Sequence, residues 1–383
     1  MALSKIDLAN MVENQMPQSL IADNINFRNI IINGDMSIAQ RGTSFSSQTA
    51  EHYVVDRFKM FVNGAIGTWT TSQSTTVPTG QGFAKSLKMD CTTADASPAS
   101  TDILSVQQRF EGQNLQYLKK GTSSAESLTA SFWVRSNKTG TYIAELEDRD
   151  NTRYVSQSYT ISSADTWEKK TVTFPGDTSG AFTNDNGESL RLNFWLGGGA
   201  TWTSGTLGTT WHTTSANRAV GQVNLADSTS NEWYVTGIQL EAGTSASDFE
   251  FLPVDVNLQR CQRYYEKNFD LATPAADGQA YGKTQTTLQS ISYSTGALRH
   301  YAYFKVRKRA NPTATFYYVT GLAGGSTSSR WDVYTGSWVQ SSGGNTSSGE
   351  IDEQGMDINV AHSGFTFGAS YLIAGGWSVD AEL

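Results

Sequence analysis

Glu145 and Glu147 are the residues whose spacing comes nearest to catalysis. Positions i and i+2 of a strand share a face, so two carboxylates stand within several Å of each other, as glycoside hydrolysis requires. Asp148, Arg149 and Asp150 continue the polar run, and the stretch is read instead as a solvated strand end leading into a turn. The four histidines, His52, His212, His300 and His362, are dispersed, and none stands in a Gly-x-Ser-x-Gly or His-Glu-x-x-His setting. The expectation is a chain with no catalytic residue, no metal site and no cofactor.

Two loops carry residues suited to binding. Gly197–Gly221 is long for a compact domain and sets Trp202 and Trp211 among hydroxyls, with Asn217 and Arg218 following. An indole face stacks on a sugar ring while Thr, Asn217 and Arg218 bond its hydroxyls; alternatively the two Trp pin the loop to the body or to a neighbouring subunit, and pinning is favoured. Trp331, Tyr334 and Trp338 lie between the Ser/Gly-rich stretches 321–329 and 341–349. They read either as rigid aromatics on an adaptable receptor-contacting tip or as a hairpin whose rings pair across strands. The basic run Arg299, Lys305, Arg307, Lys308 and Arg309 suits an anionic polymer, but its alternation fits the wet face of one strand, which is preferred.

Composition narrows the partners. Charged residues make up 17% of the 383 positions, against about 25% in an ordinary domain. Hydroxyl and amide groups take their place on the surface. A net charge of −8 without a long cationic stripe argues against nucleic acid, and no stretch approaches the ~20 apolar residues of a membrane span. The first residues have neither the apolar core nor the cleavage site of a signal peptide, so synthesis in a cytosol is expected. Cys91 and Cys261, 170 positions apart, read as buried thiols rather than a disulfide or zinc pair.

These residues need a β scaffold. Residues 1–28 read as an attachment arm with one short amphipathic helix from Ser4, or as a frayed terminus. Strands are predicted at Ile30–Ile32, Tyr53–Phe61, Ser86–Met89, Leu104–Phe110, Leu128–Val134, Thr141–Leu146, Tyr154–Ile161, Glu168–Phe174, Leu190–Leu196 and Glu232–Leu240. That pattern predicts an all-β fold with a jelly-roll sandwich over 29–252. A helix capped by Asn257 and carrying Leu258, Cys261, Tyr265 and Phe269 on one side marks a linker at 253–270. A smaller C-terminal β domain follows over 271–383, with strands near Thr287–Tyr293, His300–Val306, Thr313–Val319 and Ser370–Glu382. Asn33-Gly34 reads as a turn with positive φ at the glycine, and Asp56-Arg57 as an ion pair ahead of a core Phe58.

Three segments carry a family resemblance. The run from Arg28 to Gly42 with Val55–Phe58 resembles the opening of bacteriophage tail-fibre and related virion proteins. Trp233–Gly243 leading to Cys261–Glu266, and Phe304–Pro312 with Asp380–Leu383, are similar to later parts of the same family and fall in the same order. The resemblance implies a carbohydrate-binding-module-like jelly roll in a virion appendage, a homotrimer, mounted on tail or capsid proteins through residues 1–28 and attaching to host cell-surface polysaccharide. It leaves two rivals: a capsid-bound head fibre or decoration protein, and a polysaccharide depolymerase, since relatives sometimes cut their glycan. Asp35 and Glu241 resemble the calcium position of carbohydrate-binding sandwiches, but a hard cation needs about six oxygens and two carboxylates fall short.

Overall fold

The computed structural model describes residues 27–280, 287–322, 326–343 and 346–383. The predicted arm lies outside the described residues except for its last two positions. Between Ser44 and Ala242 the chain forms two antiparallel six-stranded sheets. The first runs, edge to edge, β1 (Ser44–Gln48), β4 (Thr68–Ser74), β5 (Ser86–Thr93), β12 (Glu232–Ala242), β7 (Leu128–Ser136) and β10 (Glu168–Phe174). The second runs β2 (His52–Val55), β3 (Phe58–Asn63), β6 (Ile103–Glu111), β11 (Glu188–Gly198), β8 (Gly140–Asp148) and β9 (Arg153–Ile161).

Period-two alternation makes this sandwich. Leu190, Leu192, Phe194 and Leu196 of β11 point inward, as do Ala130, Phe132 and Val134 of β7, and all are buried in one core. Phe132 and Phe194 meet edge to face with ring centroids 4.9 Å apart. Each such side chain contributes roughly 1.5–3 kcal/mol on burial. The same alternation turns Arg191, Asn193 and Trp195 to the outer face of the second sheet, beside Glu145 and Glu147 of β8. Register fixes this neighbourhood: Asn193 pairs Glu145, and Arg191 pairs Glu147.

Several local expectations are corrected. Ile30–Ile32 is not a strand, because the Gln108 side chain both donates to Ile32 O and accepts from Ile32 N at 2.8–2.9 Å, satisfying the backbone without a ladder. Tyr53–Phe61 divides into two strands at a turn in which Arg57 has φ 72°. Asp56 and Arg57 do not pair with each other: Asp56 accepts from Gln40 N at 2.8 Å, while Arg57 bonds Glu382 and Arg109 O. Asn33, not Gly34, takes the left-handed conformation, with φ 62°. Gly34 is required for close approach, since a Cβ there would sit 2.1 Å from Ile238 O. Strand β4 was not predicted; its Thr-rich sequence hides one core residue, Trp69.

The α-helical segments among the described residues are α1 (Ala200–Thr203), inside the long loop, and α2 (Val254–Gln262). The helix is shorter than predicted, and Asn257 lies inside it, with Pro253 at the cap position. The Asn257 side chain serves the sandwich instead, accepting from Asn33 N and donating to Asp35 Oδ1. Tyr265 belongs to the next strand, β13 (Tyr265–Lys267), which pairs with β24 (Gly376–Asp380), itself paired to β17 (Thr313–Tyr317). A seven-stranded sheet completes the C-terminal part in the order β20 (Trp338–Gln340), β19 (Asp332–Tyr334), β23 (Ser370–Ala374), β15 (Thr287–Ser294), β16 (Ala297–Tyr303), β22 (Gly355–Ala361) and β21 (Thr346–Ile351). Its core holds Leu298, Phe316, Trp331, Ile358, Ile373 and Trp377.

Charged contacts bind the C-terminal residues to the sandwich. Arg57, 1% exposed, pairs with Glu382 and lies over the Tyr264 ring at 3.4 Å. Arg41 pairs with Asp380 at 2.9 Å, and Arg109 Nη1 donates to Leu383 O at 2.6 Å. Removing one partner of a buried pair strands the other charge, so Glu382→Ala is expected to destabilise the protein by about 3 kcal/mol. Urea unfolding of the variant beside the parent chain checks this; an unchanged midpoint would refute the role given to Arg57–Glu382.

Candidate functional site

The outer face of the second sheet is not the wet surface that alternation predicts. The Gly197–Gly221 loop lies across it and pairs with β9 through Tyr154 N to His212 O and Ser156 N to Gly208 O, both 2.8 Å. Beneath the loop Ile143, Trp195 and Ala219 form a small second core with Ile103. Glu145 is fully enclosed and Glu147 is 3% exposed, which overturns their reading as a solvated strand end. The loop brings Arg218 onto both carboxylates, at 2.5 Å from Glu145 and 3.0 Å from Glu147.

A polar network grows from this pair. Trp195 Nε1 donates to Glu145 at 2.8 Å, and Asn193 Nδ2 donates to Glu145 and Glu147 at 3.3 and 3.2 Å. Arg149 reaches Glu147 at 2.5 Å, and Arg191 holds Glu188 at 2.7 Å while touching Glu147 at 3.5 Å. Arg218 stacks over Tyr154 at 4.0 Å, and its own carbonyl accepts from Ser156 Oγ at 2.7 Å. Burial raises the Glu145 carboxyl above the usual range despite Arg218. Burial also opposes ionisation of Glu147, but Arg218, Arg191 and Arg149 outweigh it and hold that carboxyl down at about 2.

Beside the network lies a cleft of about 230 Å³, lined by Phe61, Ile103, Ser105, Gln107, Arg149, Arg191 and Asn193 together with Glu147, Trp195 and Arg218. Asn193 turns its amide nitrogen to the carboxylates, and its Oδ1 is left enclosed. It has no hydrogen-bond partner among the described residues, although the residue is only 2% exposed. A larger hollow of about 320 Å³ near Phe27, Tyr117 and Arg263 is less suited, since its Glu111 is already occupied by Arg263, Tyr264 and Gln113.

The predicted site residues divide between these places. Trp202 Nε1 donates to Thr101 O at 3.3 Å and Trp211 Nε1 to Pro175 O at 2.7 Å, so both indoles tie the loop to the body. Asn217 Oδ1 accepts from Thr206 N within the loop, and Arg218 is 6% exposed in the network. Trp331 is fully buried in the C-terminal core. Tyr334 and Trp338 face each other across β19 and β20 with centroids 5.6 Å apart, and Tyr334 is 42% exposed. The basic run is not one strand face: β16 ends at Tyr303, Lys308 is buried against Glu266, and Arg309 donates to Asn186 O and Ala381 O. Asp35 and Glu241 serve separate hydrogen-bond groups, with Asn257 and with Ser247 respectively. Asn193, Arg191, Arg149 and Phe61 were missed; the signal was present in β11, where an outward Trp195 marks a covered face.

Glu147 gives the network a pH signature. Its folded pKa, about 2, lies below the ordinary 4.5, so its stabilisation is full above about pH 4.5 and lost as pH falls toward 2. Glu145, whose pKa is raised, acts in the opposite sense and is relieved by acid. Glu147→Gln is therefore expected to lose about 3 kcal/mol at pH 7 and to show a flatter decline of stability from pH 4.5 to 3. Thermal melts across that range measure it; a parallel acid limb would show that Glu147 is not held down.

No family model and no curated protein matches this chain. Among solved structures it is similar to the enzymatically active domain of tailspike protein 4 from bacteriophage CBA120, at 12% identity and TM-score 0.31 over 56% of this chain. That match spans about one fifth (21%) of the tailspike chain. It is also similar to a family 11 carbohydrate-binding module from Clostridium thermocellum in complex with a β-1,3-1,4-mixed-linked tetrasaccharide, at 12% identity and TM-score 0.26, covering 54% of this chain and 99% of the module. A third is the N-terminal cellulose-binding domain of Cellulomonas fimi β-1,4-glucanase C, at 12% identity and TM-score 0.25, covering 48% of this chain and 89% of that domain.

Proposed function

We propose that this chain is a structural subunit of a bacteriophage tail fibre or adhesin, carried on the virion, that attaches to host-surface glycan through the cleft beside Asn193. The observation that carries the reading is the cleft itself, where the half-exposed Arg149 side chain, the Gln107 and Asn193 residues and the Phe61 ring line one small space. Guanidinium and amide groups bond sugar hydroxyls, and an aromatic ring stacks on a sugar's apolar face. The resemblance of Arg28–Gly42, Trp233–Gly243 and Phe304–Pro312 to tail-fibre proteins supports the setting. The chain acts without catalysis: Glu145 is enclosed, and both carboxylates are engaged by guanidinium groups rather than presented to a glycosidic bond.

The chain works as a homotrimer, through the outer face of the seven-stranded sheet. Ile291, Tyr293, Tyr303, Tyr334 and Leu372 lie exposed there, on the order of 500 Å² of side-chain surface, an area comparable with the largest patch of an ordinary monomer and of the kind that marks an interaction face. Arg299 on that face is matched by Asp357 at 3.5 Å, so a second copy approaches without like-charge repulsion even in a chain of net charge −8. A C3 ring closes when this face meets a different surface of the next copy.

Three measurements test these readings. Asn193→Ala is expected to weaken binding of the purified protein to host cells at least tenfold with its fold retained by circular dichroism, and wild-type incubation with host glycan should release no reducing ends above the blank. Loss of binding in Trp338→Ala with Asn193→Ala unaffected would move the site to the distal sheet, and released reducing ends would make the chain an enzyme. Light scattering should give three times the 41.7 kDa chain mass, reduced to one chain in Ile291→Asp; a monomeric wild type removes the trimer.

A further inference from the structure

The cleft's hydrogen-bonding ledger narrows the kind of sugar it takes, resting on the glycan reading above. Its volume of about 230 Å³ is below the roughly 300–1,000 Å³ of sites for drug-sized ligands, which suits one sugar unit rather than a length of polymer. Of the charged side chains that line it, three are arginines, Arg149, Arg191 and Arg218, and one is a carboxylate, Glu147. Both oxygens of Glu147 are engaged: Arg149 holds Oε1, while Asn193, Arg191 and Arg218 converge on Oε2. Cationic donors therefore outnumber the carboxylate among the charged groups of the lining.

The cations differ in how fully they are matched. Arg191 is held by Glu188 through both Nε and Nη2, its shortest contacts, and reaches Glu147 only at 3.5 Å. Arg218 and Arg149 remain with Glu145 and Glu147, and burial opposes the ionisation of Glu145. Arg149 is the forward member. Its side chain is 44% exposed, the only side-chain hydrogen bond it makes among the described residues runs from Nη1, and its Nε and Nη2 edge remains open. An open guanidinium edge is a two-donor fork that matches a carboxylate in bidentate fashion.

We propose that the cleft binds a single carboxylate-bearing sugar unit, with its carboxylate on the Arg149 fork and its ring among Phe61, Gln107 and Asn193, which line the same cleft. Such a unit sits at a chain end or as a side branch, because the small cleft does not follow a polymer in both directions. Arg191 and Arg218 add further positive charge to the lining.

The full chain would be measured against oligosaccharides ending in hexuronate and against the same compounds with the carboxyl reduced to the alcohol, on an array and then by titration calorimetry. Binding at least tenfold tighter to the acidic form, weakened between 50 and 500 mM salt and made equal for the two forms by Arg149→Gln, is the expected result. Arg149→Lys, which keeps the charge but not the fork, should recover only part of the preference. Equal or tighter binding of the reduced compounds, or a preference that survives Arg149→Gln, overturns the acidic-sugar proposal. If that binding is still abolished by Asn193→Ala, the glycan reading stands. No binding to any acidic or neutral compound overturns both.

Discussion

Enclosing Glu145 is the constraint on which the rest of the site depends. A carboxylate withdrawn from water loses several kcal/mol of solvation and stays ionised only when its oxygens are met by fixed donors. Here the donors come from one strand and a loop: Trp195 and Asn193 from β11, and Arg218 from the segment that follows α1. Arg218 in turn is fixed by the Tyr154 ring and by Ser156 Oγ on β9, so the loop has one way to lie across the sheet. That placement ties up the Asn193 amide nitrogen and leaves the Arg149 side chain half-exposed at the cleft. The binding surface is thus the remainder of a charge-burial problem, with each open group defined by what the network has already used.

Much of the scaffold was legible because period-two alternation survives in the sandwich strands. Glu168–Phe174 has the predicted bounds, and β7, β8, β9, β11 and β12 extend their predicted runs by only a few residues. The local misses have a common cause. Ile30–Ile32 looks like a strand by composition but is satisfied by the Gln108 side chain, and Asn257 looks like a cap but reaches Asn33 and Asp35, each a long-range partner that no local pattern reveals. The site was legible in its parts and not in its assembly. Glu145, Glu147 and Arg218 were each singled out, yet the pairing needs a loop more than 70 positions away to fold back over β8, which alternation along one strand does not report. The outward Trp195 and Ile143 were the available hint, since two large apolar residues on a nominally wet face imply a cover.

The same logic acts at the junction with the C-terminal strands. Arg41, Arg57 and Arg109 leave the sandwich toward Asp380, Glu382 and Leu383, while Arg263 and Tyr264, just past α2, return to Glu111. Lys308 and Lys267, both buried, add ammonium groups aimed at carbonyls of Gln262, Gln40 and Thr273. Desolvation lowers Lys267 to about 8, the expected response of a cation held mainly by neutral acceptors. Directional charged contacts of this kind fix orientation more tightly than an apolar seam of similar extent, because each bond tolerates little sliding.

The two exposed surfaces therefore have different physical characters, and the difference assigns their roles. The cleft is small, polar and preorganised, with its donors and acceptors held at fixed positions by a buried network; such a surface discriminates between ligands by which hydrogen bonds they complete. The outer face of the seven-stranded sheet is broad and apolar, carrying Ile291, Leu372 and several tyrosines whose association depends chiefly on area. A sugar, small and hydrated, gains little from burying aliphatic side chains but much from fixed hydrogen-bonding groups. A second protein copy gains most from area. Under the proposed function, selectivity for glycan would therefore fall to the sandwich, and multivalency, which raises weak single-site binding to durable attachment, to the sheet proposed to gather the copies.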